Sequence, residues 1–350
     1  MERVKAFLKR KQVVISVQTY LIDALGAMAF GLFASLLIGT IFGTLGEKTG
    51  VVIFTTIAGY AKSATGAALG VSIAYALKAP TLVLFSAATV GIAGNELGGP
   101  VGALVATIIA AELGKIVSKE TPVDILVTPG VTIISGILAA QFVGPGVSAF
   151  MTAFGNLVKT ATVMQPLFMG ILVSALIGIA LTLPISSAAI CIMLSLDGLA
   201  GGAATAGCCA QMVGFAVMSF KENKWSGLLA QGIGTSMLQI GNIVKNPMIW
   251  IPPTLASAVT GPIATCIFRM KMNGDAVASG MGTCGLVGQI GVYTGWINDI
   301  TAGTKAGITS MDWLGLVLVC FILPAVLTLV FAYPMRKKNL IKENDLKLDL

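Results

Sequence analysis

Long stretches without a single charged residue recur along this chain, and they limit its possible folds more than any other feature. A helix that crosses a bilayer needs about 20 consecutive apolar residues. Uncharged windows of about that length or more cover residues 24–46, 125–158, 160–196, 198–220, 225–244, 246–268, 276–298 and 313–335. The sequence therefore predicts an all-α polytopic membrane protein with about ten membrane elements, some of them half-length or re-entrant.

Composition excludes a water-soluble enzyme. Only 11% of the 350 residues are charged and 56% are hydrophobic, whereas a soluble domain carries about 25% charged residues. Such a chain cannot cover itself with a polar surface. The 42 glycines follow no triplet repeat, which excludes a collagen-like fibre, and small residues suit membrane helices that pack closely. The expected surroundings are therefore a lipid bilayer.

The formal charge of +7 could suggest a nucleic-acid partner, but its placement does not. Basic residues precede the first apolar window, at Lys9–Lys11, and follow the last one, at Arg336–Lys338. Cytoplasmic flanks of membrane spans are enriched in lysine and arginine. We therefore predict a multi-pass plasma-membrane protein with an even number of spans, both termini in the cytoplasm and no nucleic-acid partner. Residues 336–350 are predicted to be a charged, frayed cytoplasmic tail.

No histidine occurs anywhere in the chain. Its absence removes imidazole general bases, histidine-ligated metals and the Ser-His-Asp and Cys-His catalytic arrangements. The six cysteines form no Cys-x-x-Cys pair and lie in apolar or glycine-rich stretches, where cysteine is typically a small buried hydrophobe. We predict no catalytic residue, no metal site and no cofactor, so the chain is at most the membrane subunit of an enzyme complex.

Proline interrupts several apolar windows. The interruptions are Pro129-Gly130, Gly144-Pro145-Gly146, Pro184 and Pro252-Pro253. Broken backbone at membrane depth is tolerated where it is buried in protein or lines a cavity, and transporters use it to present backbone groups to a solute. We therefore expect broken helices there; the alternative at each position is a proline kink between packed helices.

Asn95 and Glu96 lie between an apolar run and Gly98-Gly99-Pro100. An ionisable residue inside a membrane segment is by default a functional candidate. Three roles are open for this pair: contact with the substrate or a coupling proton, a hydrogen bond between helices, or a place in a simple loop. Burial away from any cation would favour the protonated carboxyl, so Glu96 is the expected proton carrier if transport is proton-coupled.

A second polar cluster lies beside glycines in an otherwise apolar stretch. It comprises Thr235, Ser236, Gln239, Asn242 and Asn246. A side-chain amide offers both donors and acceptors, which suits a neutral polyol. We therefore predict that this cluster, together with Asn95 and Glu96, binds the substrate. The alternative is a polar seam in which the same groups satisfy one another between helices.

Three stretches then follow one another in a recognisable order. Pro122-Val123-Asp124 leads to Val143-Gly144-Pro145-Gly146, Gly170-Ile171-Leu172 leads to Leu183-Pro184-Ile185-Ser186-Ser187, and Gly232-Ile233-Gly234-Thr235-Ser236 leads through Asn246-Pro247 to Val259-Thr260-Gly261-Pro262. From about residue 96 to 293 the chain therefore resembles the membrane-embedded enzyme IIC of the phosphoenolpyruvate-dependent sugar phosphotransferase system. It is most similar to the fructose-type branch of the glucose superfamily, and within it to the orphan IIC-like group of PfoR-type regulators.

The resemblance implies a single IIC-like transmembrane domain over residues 1–335, with a scaffold-rich half at about 1–160 and a transport-rich half at about 161–335. It also implies a homodimer whose re-entrant hairpins hold the substrate at mid-membrane and carry it by rigid-body displacement. The implied partners are a small polar, sugar-like solute, the bilayer and, as an open option, a separate IIB subunit.

The chain departs from the family at two places that carry its chemistry. The family's sugar-binding hairpin begins Gly-Ile-Thr-Glu, whereas Thr235-Ser236-Met237 stands here without the glutamate. Fructose-type members later carry Pro-His-Gly-Gly, whereas residues 280–285 contain no histidine. We also expect no phosphoryl-donating IIB domain within these 350 residues. Phosphotransfer through a partner is weakened by these departures but not excluded.

Three functions remain open. The first is a permease of the IIC type that binds and translocates a sugar or sugar-like polar solute, with no IIA or IIB domain of its own. The second is a proton-coupled secondary transporter on the same fold. The third is a membrane sensor or regulator that binds solute without useful flux. The first is favoured; a standalone enzyme is strongly disfavoured, because the sequence shows no plausible nucleophile–base pair.

Overall fold

The computed structural model describes residues 2–162, 164–274 and 276–348, and helices make up most of this part of the chain. The α-helices, in chain order, are α1 (Glu2–Arg10), α2 (Ala24–Leu32), α3 (Ile38–Thr49), α4 (Val52–Ser63), α5 (Thr65–Ala76), α6 (Thr81–Val117), α7 (Asp124–Thr162), α8 (Pro166–Thr182), α9 (Ser187–Met193), α10 (Gly198–Met218), α11 (Phe220–Leu229), α12 (Ile240–Lys245), α13 (Ile251–Pro262), α14 (Ala276–Ser279), α15 (Val287–Thr301), α16 (Ser310–Val317) and α17 (Leu323–Lys337). No β-strand occurs among the described residues, where one isolated antiparallel bridge joins Gly198 and Met272. The all-α prediction is confirmed.

Wider and tighter helical turns link several of these helices. The π-helical turns are Gln18–Asp23, Phe33–Leu37, Ala230–Gly234, Ile263–Ile267 and Leu318–Ile322, and the 3-10 turns are Ser236–Gln239, Pro247–Trp250 and Cys284–Leu286. Both kinds of turn shift backbone groups out of regular helical register. Three of them fall between α11 and α13, where the second predicted polar cluster lies.

By length and composition alone, five helical segments of the described chain could cross a membrane, although one of them, Thr81–Val117, reverses direction within its length. They are Gln18–Glu47, Thr81–Val117, Asp124–Thr162, Gly198–Met218 and Ser310–Lys337, and the shorter apolar helices Thr65–Ala76 and Pro166–Thr182 lie between them. The protein is therefore a multi-pass helical membrane protein. The total of about ten membrane elements stays a prediction.

The chain divides into two compact units, residues 1–150 (unit 1) and 151–350 (unit 2), and the division falls inside α7. Unit 1 is built on α5 packed against α6, with α2 beside α5 and α3 beside α4. Unit 2 is built around α10, which is almost wholly buried between α8, α13 and α17. The polar candidates of unit 2 lie on the segments that surround this central helix.

Glycine allows the helices of unit 2 to approach one another closely. A Cβ atom added to Gly207 of α10 would lie 1.9 Å from the Ser174 carbonyl oxygen of α8. One added to Gly261 of α13 would lie 2.0 Å from the Gly170 carbonyl oxygen, also of α8. Backbone-to-backbone packing of this kind is what small residues make possible in membrane helices.

α6 is a helical hairpin. A straight helix of 37 residues would be about 55 Å long, yet a Cβ atom on Gly114 near its end would lie 2.9 Å from Val83 near its start. The reversal occurs at Gly98 (φ −146°, ψ 20°) and Gly99 (φ 59°, ψ −161°), and the second of these conformations is open essentially to glycine alone. The apolar runs on either side of this turn are therefore two antiparallel arms.

The expected proline breaks have different outcomes. α7 runs through Pro129 and Pro145 as one helix, so the broken backbone expected there is not found. Pro184 does lie in a break, between α8 and α9. Pro252 and Pro253 lie at the start of α13, where a missing N–H costs no hydrogen bond because the first turn of a helix has no acceptors for it.

Candidate solute site

The segment between α11 and α13 interrupts the regular helices of unit 2 with polar residues. Thr235 (φ −160°, ψ 143°) and Asn246 (φ −138°, ψ 94°) are both extended, and a proline such as Pro247 disfavours helical backbone in the residue before it. Each side chain caps the next turn: Thr235 Oγ1 accepts a hydrogen bond from Met237 N (3.2 Å), and Asn246 Oδ1 accepts one from Met248 N (3.1 Å). Both predicted site residues therefore also begin a helical turn.

Three buried or half-buried amides, Gln231, Gln239 and Asn242, form a continuous hydrogen-bonded series that we call the amide relay. Gln231 Nε2 donates to Ser219 Oγ (2.8 Å), and Gln239 Nε2 donates to Gln231 Oε1 (2.8 Å). Asn242 Nδ2 donates in turn to Gln239 Oε1 (2.8 Å). Gln231 and Gln239 each accept from one neighbour and donate to another, and Asn242 donates at the end of the series, so the relay sets which way each amide faces.

The amide relay ends on the backbone of the C-terminal tail. Gln239 Nε2 also donates to the Leu346 carbonyl (3.0 Å), and Asn242 Nδ2 also donates to the Lys347 carbonyl (2.8 Å). Two amides that were predicted to bind a solute are therefore hydrogen-bonded to main-chain carbonyls of the same chain.

Two more asparagines hold the tail in the same way. Asn246 Nδ2 donates to the Leu340 carbonyl (2.9 Å). Asn223 Nδ2 donates to the Leu346 carbonyl (2.7 Å), and its Oδ1 accepts from Leu348 N (2.8 Å). These side chains satisfy the backbone of a segment that has no regular secondary structure to do so.

Two apolar side chains of the tail are buried in unit 2. Ile341 and Leu346 are 2% and 0% exposed. Their core cluster contains Phe215, Met218, Ile243, Ile249 and Ala332, with Trp250 and Met335 packed against it. The prediction that the whole tail is frayed is therefore wrong for residues 340–348, because burial of these two side chains and the amide hydrogen bonds outweigh the cost of ordering the segment.

Ion pairs complete the docking of the tail. Arg336 Nη2 lies 3.1 Å from Glu222 Oε1 and donates to the Met218 carbonyl (2.9 Å). Lys221 pairs with Glu343, and the hydrogen bond from Lys221 lowers the pKa of the Glu343 carboxyl below its ordinary value. Since exposed ion pairs contribute little stability, the Lys221 pair sets the position of the tail more than its affinity.

A second buried network centres on Gln211 of α10. Its Oε1 accepts from Trp250 Nε1 (3.1 Å) and Thr182 Oγ1 (3.2 Å), and its Nε2 donates to Thr254 Oγ1 (3.0 Å). Ser236 Oγ, a predicted site atom, lies 2.8 Å from Thr182 Oγ1. Ser236 therefore belongs to this network rather than to the amide relay.

Asn95 and Glu96 lie in unit 1, at the end of the first arm of α6 and directly before its turn. Asn95 is half-buried and Glu96 is exposed. The described residues offer Glu96 no ion pair, and the expectation that its carboxylate is buried is not met within one protomer. The reason is geometric: the Gly98-Gly99 reversal places residue 96 beside the tip of a hairpin rather than in the middle of a packed helix.

A cavity of about 230 Å³ borders the amide relay. Its lining comprises Asn242, Lys245, Asn344, Asp345 and Lys347, so it is bounded by α12 on one side and the tail on the other. The lining offers amides, ammonium groups and a carboxylate, which are the partners that a hydroxylated solute requires. Within the described ranges, no three histidine, cysteine, aspartate or glutamate side chains group as a metal site would require.

Comparison with known protein families shows to which family this chain belongs. The family described as "Phosphotransferase system, EIIC" matches residues 22–348. The chain belongs to this family. No curated protein and no solved structure matches the chain. EIIC membership confirms the predicted family and the membrane setting, and it makes the chain a component of a sugar-transporting permease.

Sequence reasoning about this EIIC chain missed several residues that build the site. Gln211, Asn223 and Gln231 carry its hydrogen bonds, and Leu346 anchors the tail. Gln211 could have been found, since it is the one amide in the small-residue window at residues 198–218. The docking of the tail could not have been predicted from the sequence. Its two buried side chains are separated by four polar residues and follow no helical or strand period.

Proposed function

We propose that this EIIC chain is the permease subunit that binds a sugar or sugar-like polar solute and moves it across the plasma membrane, while a separate IIB subunit supplies any phosphoryl transfer. The family match over residues 22–348, which spans both helical units, carries this proposal. The chain contains no histidine, so a phosphohistidine within these 350 residues is excluded. Assignment to the fructose-type branch and to the PfoR-type group is a finer part of the same proposal.

The proposed solute contacts are the seven polar residues Asn95, Glu96, Thr235, Ser236, Gln239, Asn242 and Asn246. Three of them, Gln239, Asn242 and Asn246, donate to tail carbonyls in this arrangement. A solute hydroxyl offers the same kind of acceptor oxygen as a peptide carbonyl. We therefore propose that the solute and the tail compete for these three amides, so that the docked tail closes the site.

Substitution of Asn242 tests the contact with the solute. Asn242→Ala is expected to weaken solute binding about tenfold to a hundredfold, because the loss of a hydrogen bond to a buried polar ligand costs roughly 1–3 kcal/mol. The measurement is the dissociation constant of a panel of sugars and polyols for the purified protein in detergent.

Asn223→Ala is the matched control. Asn223 holds the tail through Leu346 and Leu348 but is not a proposed solute contact. The Asn223→Ala substitution should loosen the tail and leave the affinity for the solute equal or higher. Equal weakening by both substitutions would show that Asn242 acts only through the tail, and the contact with the solute would then be withdrawn.

Two other functions compete with this proposal. Proton-coupled transport would need Glu96, whose exposed position at the α6 hairpin gives no buried carboxyl in one protomer. A solute sensor has a specific observation in its favour, since a tail that docks and undocks from a solute site is a means of reporting occupancy. We retain permease as the first proposal because the family match concerns the translocating component.

Vesicle uptake separates the three functions. The full chain in sealed vesicles is supplied either with phosphoenolpyruvate and the soluble phosphotransferase components or with an imposed proton gradient. Accumulation of phosphorylated sugar under the first condition supports the permease. Accumulation of unmodified solute under the second supports the secondary transporter, and Glu96→Gln should then abolish it. Binding without accumulation under either condition supports the sensor.

We also propose the architecture that the family implies. It is a homodimer of single-domain protomers, with a scaffold-rich half at residues 1–160, a transport-rich half at 161–335 and a charged tail at 336–350. The α6 hairpin supports a re-entrant element, since its arms of about 17 residues are each shorter than the roughly 20 that a perpendicular span needs.

Both termini are expected to be cytoplasmic, because Lys9–Lys11 and Arg336–Lys338 flank the outermost apolar windows. Cysteines introduced at Ala6 and Asn339 should react with an impermeant thiol reagent only after cells are opened. A Cys266→Ser background removes the one exposed native cysteine among the described residues. Reaction of one terminus in intact cells would mean an odd number of spans.

A further inference from the structure

Unit 1 contains a strongly positive pocket that the proposed solute site does not use. We call it the basic pocket, a cavity of about 330 Å³. Its charged lining comprises Arg10, Lys11, Lys78, Lys115, Lys119 and a single carboxylate, Glu120. The pocket joins the end of α1 to the ends of α5 and α6, so its charges come from three separate segments of the chain.

Lys115 forms the floor of the basic pocket and is fixed in place. Its side chain is 1% exposed, and its Nζ donates to the carbonyls of Gln12 (2.9 Å) and Leu77 (3.1 Å). The same Nζ pairs with Glu112 (2.8 Å). A buried ammonium group with this many partners holds the three segments together and gives the pocket a defined shape before any ligand arrives.

Glu120 neutralises only part of the charge. It accepts from Arg10 (2.7 Å) and Lys11 (2.5 Å), and the hydrogen bond from Lys11 lowers the pKa of its carboxyl below the ordinary value. Asp124 accepts a hydrogen bond from Lys119 N (2.6 Å), so five cations less the three carboxylates Glu112, Glu120 and Asp124 leave two positive charges around one cavity. An anionic ligand would remove this excess.

Lys78 and Lys119 supply the cations that are available to a ligand. Both side chains are exposed, and neither forms an ion pair within the described residues. Both also have left-handed backbone, with φ of 56° and 61°, directly after the ends of α5 and α6. Glycine adopts that conformation without strain and a lysine does not. Both lysines therefore lie at the tight turns that follow α5 and α6.

Exposed apolar side chains lie close in sequence to residues that line the basic pocket. Ile15, Tyr75 and Ile125 are 80%, 75% and 72% exposed, and each lies within five residues of a residue that lines the pocket. In a multi-pass protein such side chains contact the acyl chains of the bilayer. A cationic pocket next to an acyl-facing surface fits a ligand that is anionic at one end and apolar at the other.

We propose that the basic pocket binds the phosphate headgroup of an anionic phospholipid, with its acyl chains against the bordering apolar surface. The shared chemistry is a phosphate ester held by lysine ammonium and arginine guanidinium groups. A free phosphate ester could supply the same charge, but it would leave the apolar border without a partner, so the lipid is favoured.

The test uses the full chain purified in mild detergent and stripped of lipid. The probes are phosphatidylglycerol, zwitterionic phosphatidylcholine and water-soluble glycerol phosphate, and binding is followed by native mass spectrometry and thermal unfolding. Phosphatidylglycerol should bind at a defined stoichiometry and raise the unfolding temperature. The double variant Lys78→Gln/Lys119→Gln should bind phosphatidylglycerol roughly 30-fold more weakly, because each lysine near an anionic lipid surface contributes about a fivefold gain in affinity.

The matched control is Lys337→Gln/Lys338→Gln, which removes the same charge from exposed lysines at the end of α17. It should change the affinity for phosphatidylglycerol less than about twofold. An equal loss in both double variants would mean diffuse attraction without a site and would overturn the proposal. So would equal binding of phosphatidylcholine.

The measurement with glycerol phosphate distinguishes the two possible sources of the phosphate group. If glycerol phosphate binds as tightly as phosphatidylglycerol, the pocket takes a free anion and the lipid assignment fails. Both lysines of the test variant are exposed, so its unfolding temperature without lipid should match that of the unmodified chain. If the unfolding temperature of the double variant falls, the single variant Lys119→Gln is used instead. The salt dependence of its lipid binding is compared with that of the unmodified chain, and an unchanged salt dependence contradicts the site.

Discussion

Replacing Leu346 with alanine is expected to release the C-terminal tail from unit 2. The Leu346 side chain is fully buried in the core cluster beneath the amide relay, and truncation of a buried leucine to alanine costs about 2–5 kcal/mol. Residues 340–348 have no regular secondary structure, so without Leu346 they are held by Ile341, the side-chain amide hydrogen bonds and an exposed ion pair, and an exposed ion pair contributes little stability. Hydrogen-exchange mass spectrometry should therefore show residues 340–348 changing from protected to freely exchanging, while α10 stays protected.

Leu340→Ala is the matched control, because Leu340 is in the same tail but 43% exposed. Its exchange pattern should stay close to that of the unmodified chain. If the tail closes the solute site, Leu346→Ala should also raise the apparent solute affinity about tenfold or more, since a larger fraction of molecules is then competent to bind. Protection of the tail in Leu346→Ala would contradict the anchoring role, and free exchange with unchanged affinity would leave the tail purely structural.

Gly207→Ala is expected to prevent unit 2 from folding. The added Cβ atom would lie 1.9 Å from the Ser174 carbonyl oxygen, and a main-chain partner cannot move aside by changing rotamer. Helices α8 and α10 would have to separate along their whole contact, at a cost above the roughly 1–3 kcal/mol of ordinary overpacking. Size-exclusion chromatography of the detergent-extracted protein should show aggregate in place of the folded species.

Gly59→Ala is the corresponding control in an open position. Nothing lies within 4 Å of a Cβ atom at Gly59 in α4, and alanine stabilises a helix interior by roughly 0.5–1 kcal/mol relative to glycine. This variant should therefore elute as the unmodified chain does and unfold at an equal or higher temperature. Equal tolerance of both substitutions would show that α8 and α10 have room between them for a methyl group at residue 207.

Much of the fold follows from sequence because membrane helices depend on local composition. The uncharged windows at residues 198–220 and 313–335 predict helices that the structure contains at Gly198–Met218 and Ser310–Lys337. Two amides of the predicted polar cluster, Gln239 and Asn242, are hydrogen-bonded to each other, which their separation of three residues along the chain favours. Their contact with a solute stays a prediction.

What the sequence did not predict depends on contacts between distant residues. The partners of Gln239 and Asn242 include tail carbonyls more than 100 residues away, and main-chain acceptors leave no signal in residue type. Pro129 and Pro145 were expected to break α7 but do not, because neighbouring groups can compensate for a missing N–H inside a long helix. Glu96 was expected to be buried because its neighbours are apolar, but the turn of α6 decides its exposure.

The docked tail has a consequence for biosynthesis. Gln239 is separated by 107 residues from the Leu346 carbonyl that it binds, so at about 5–20 residues per second its partner is made roughly 5–20 s later. During that interval the relay amides of a nascent chain must be held by water, lipid headgroups or a chaperone, because an unpaired amide is costly to bury. The polar centre of unit 2 is therefore complete only once residues 346 and 347 have been made. A chain truncated after Lys338 would keep α17 but lack residues 340–348, so its relay amides would stay without their tail partners, which is a state that membrane quality control could recognise.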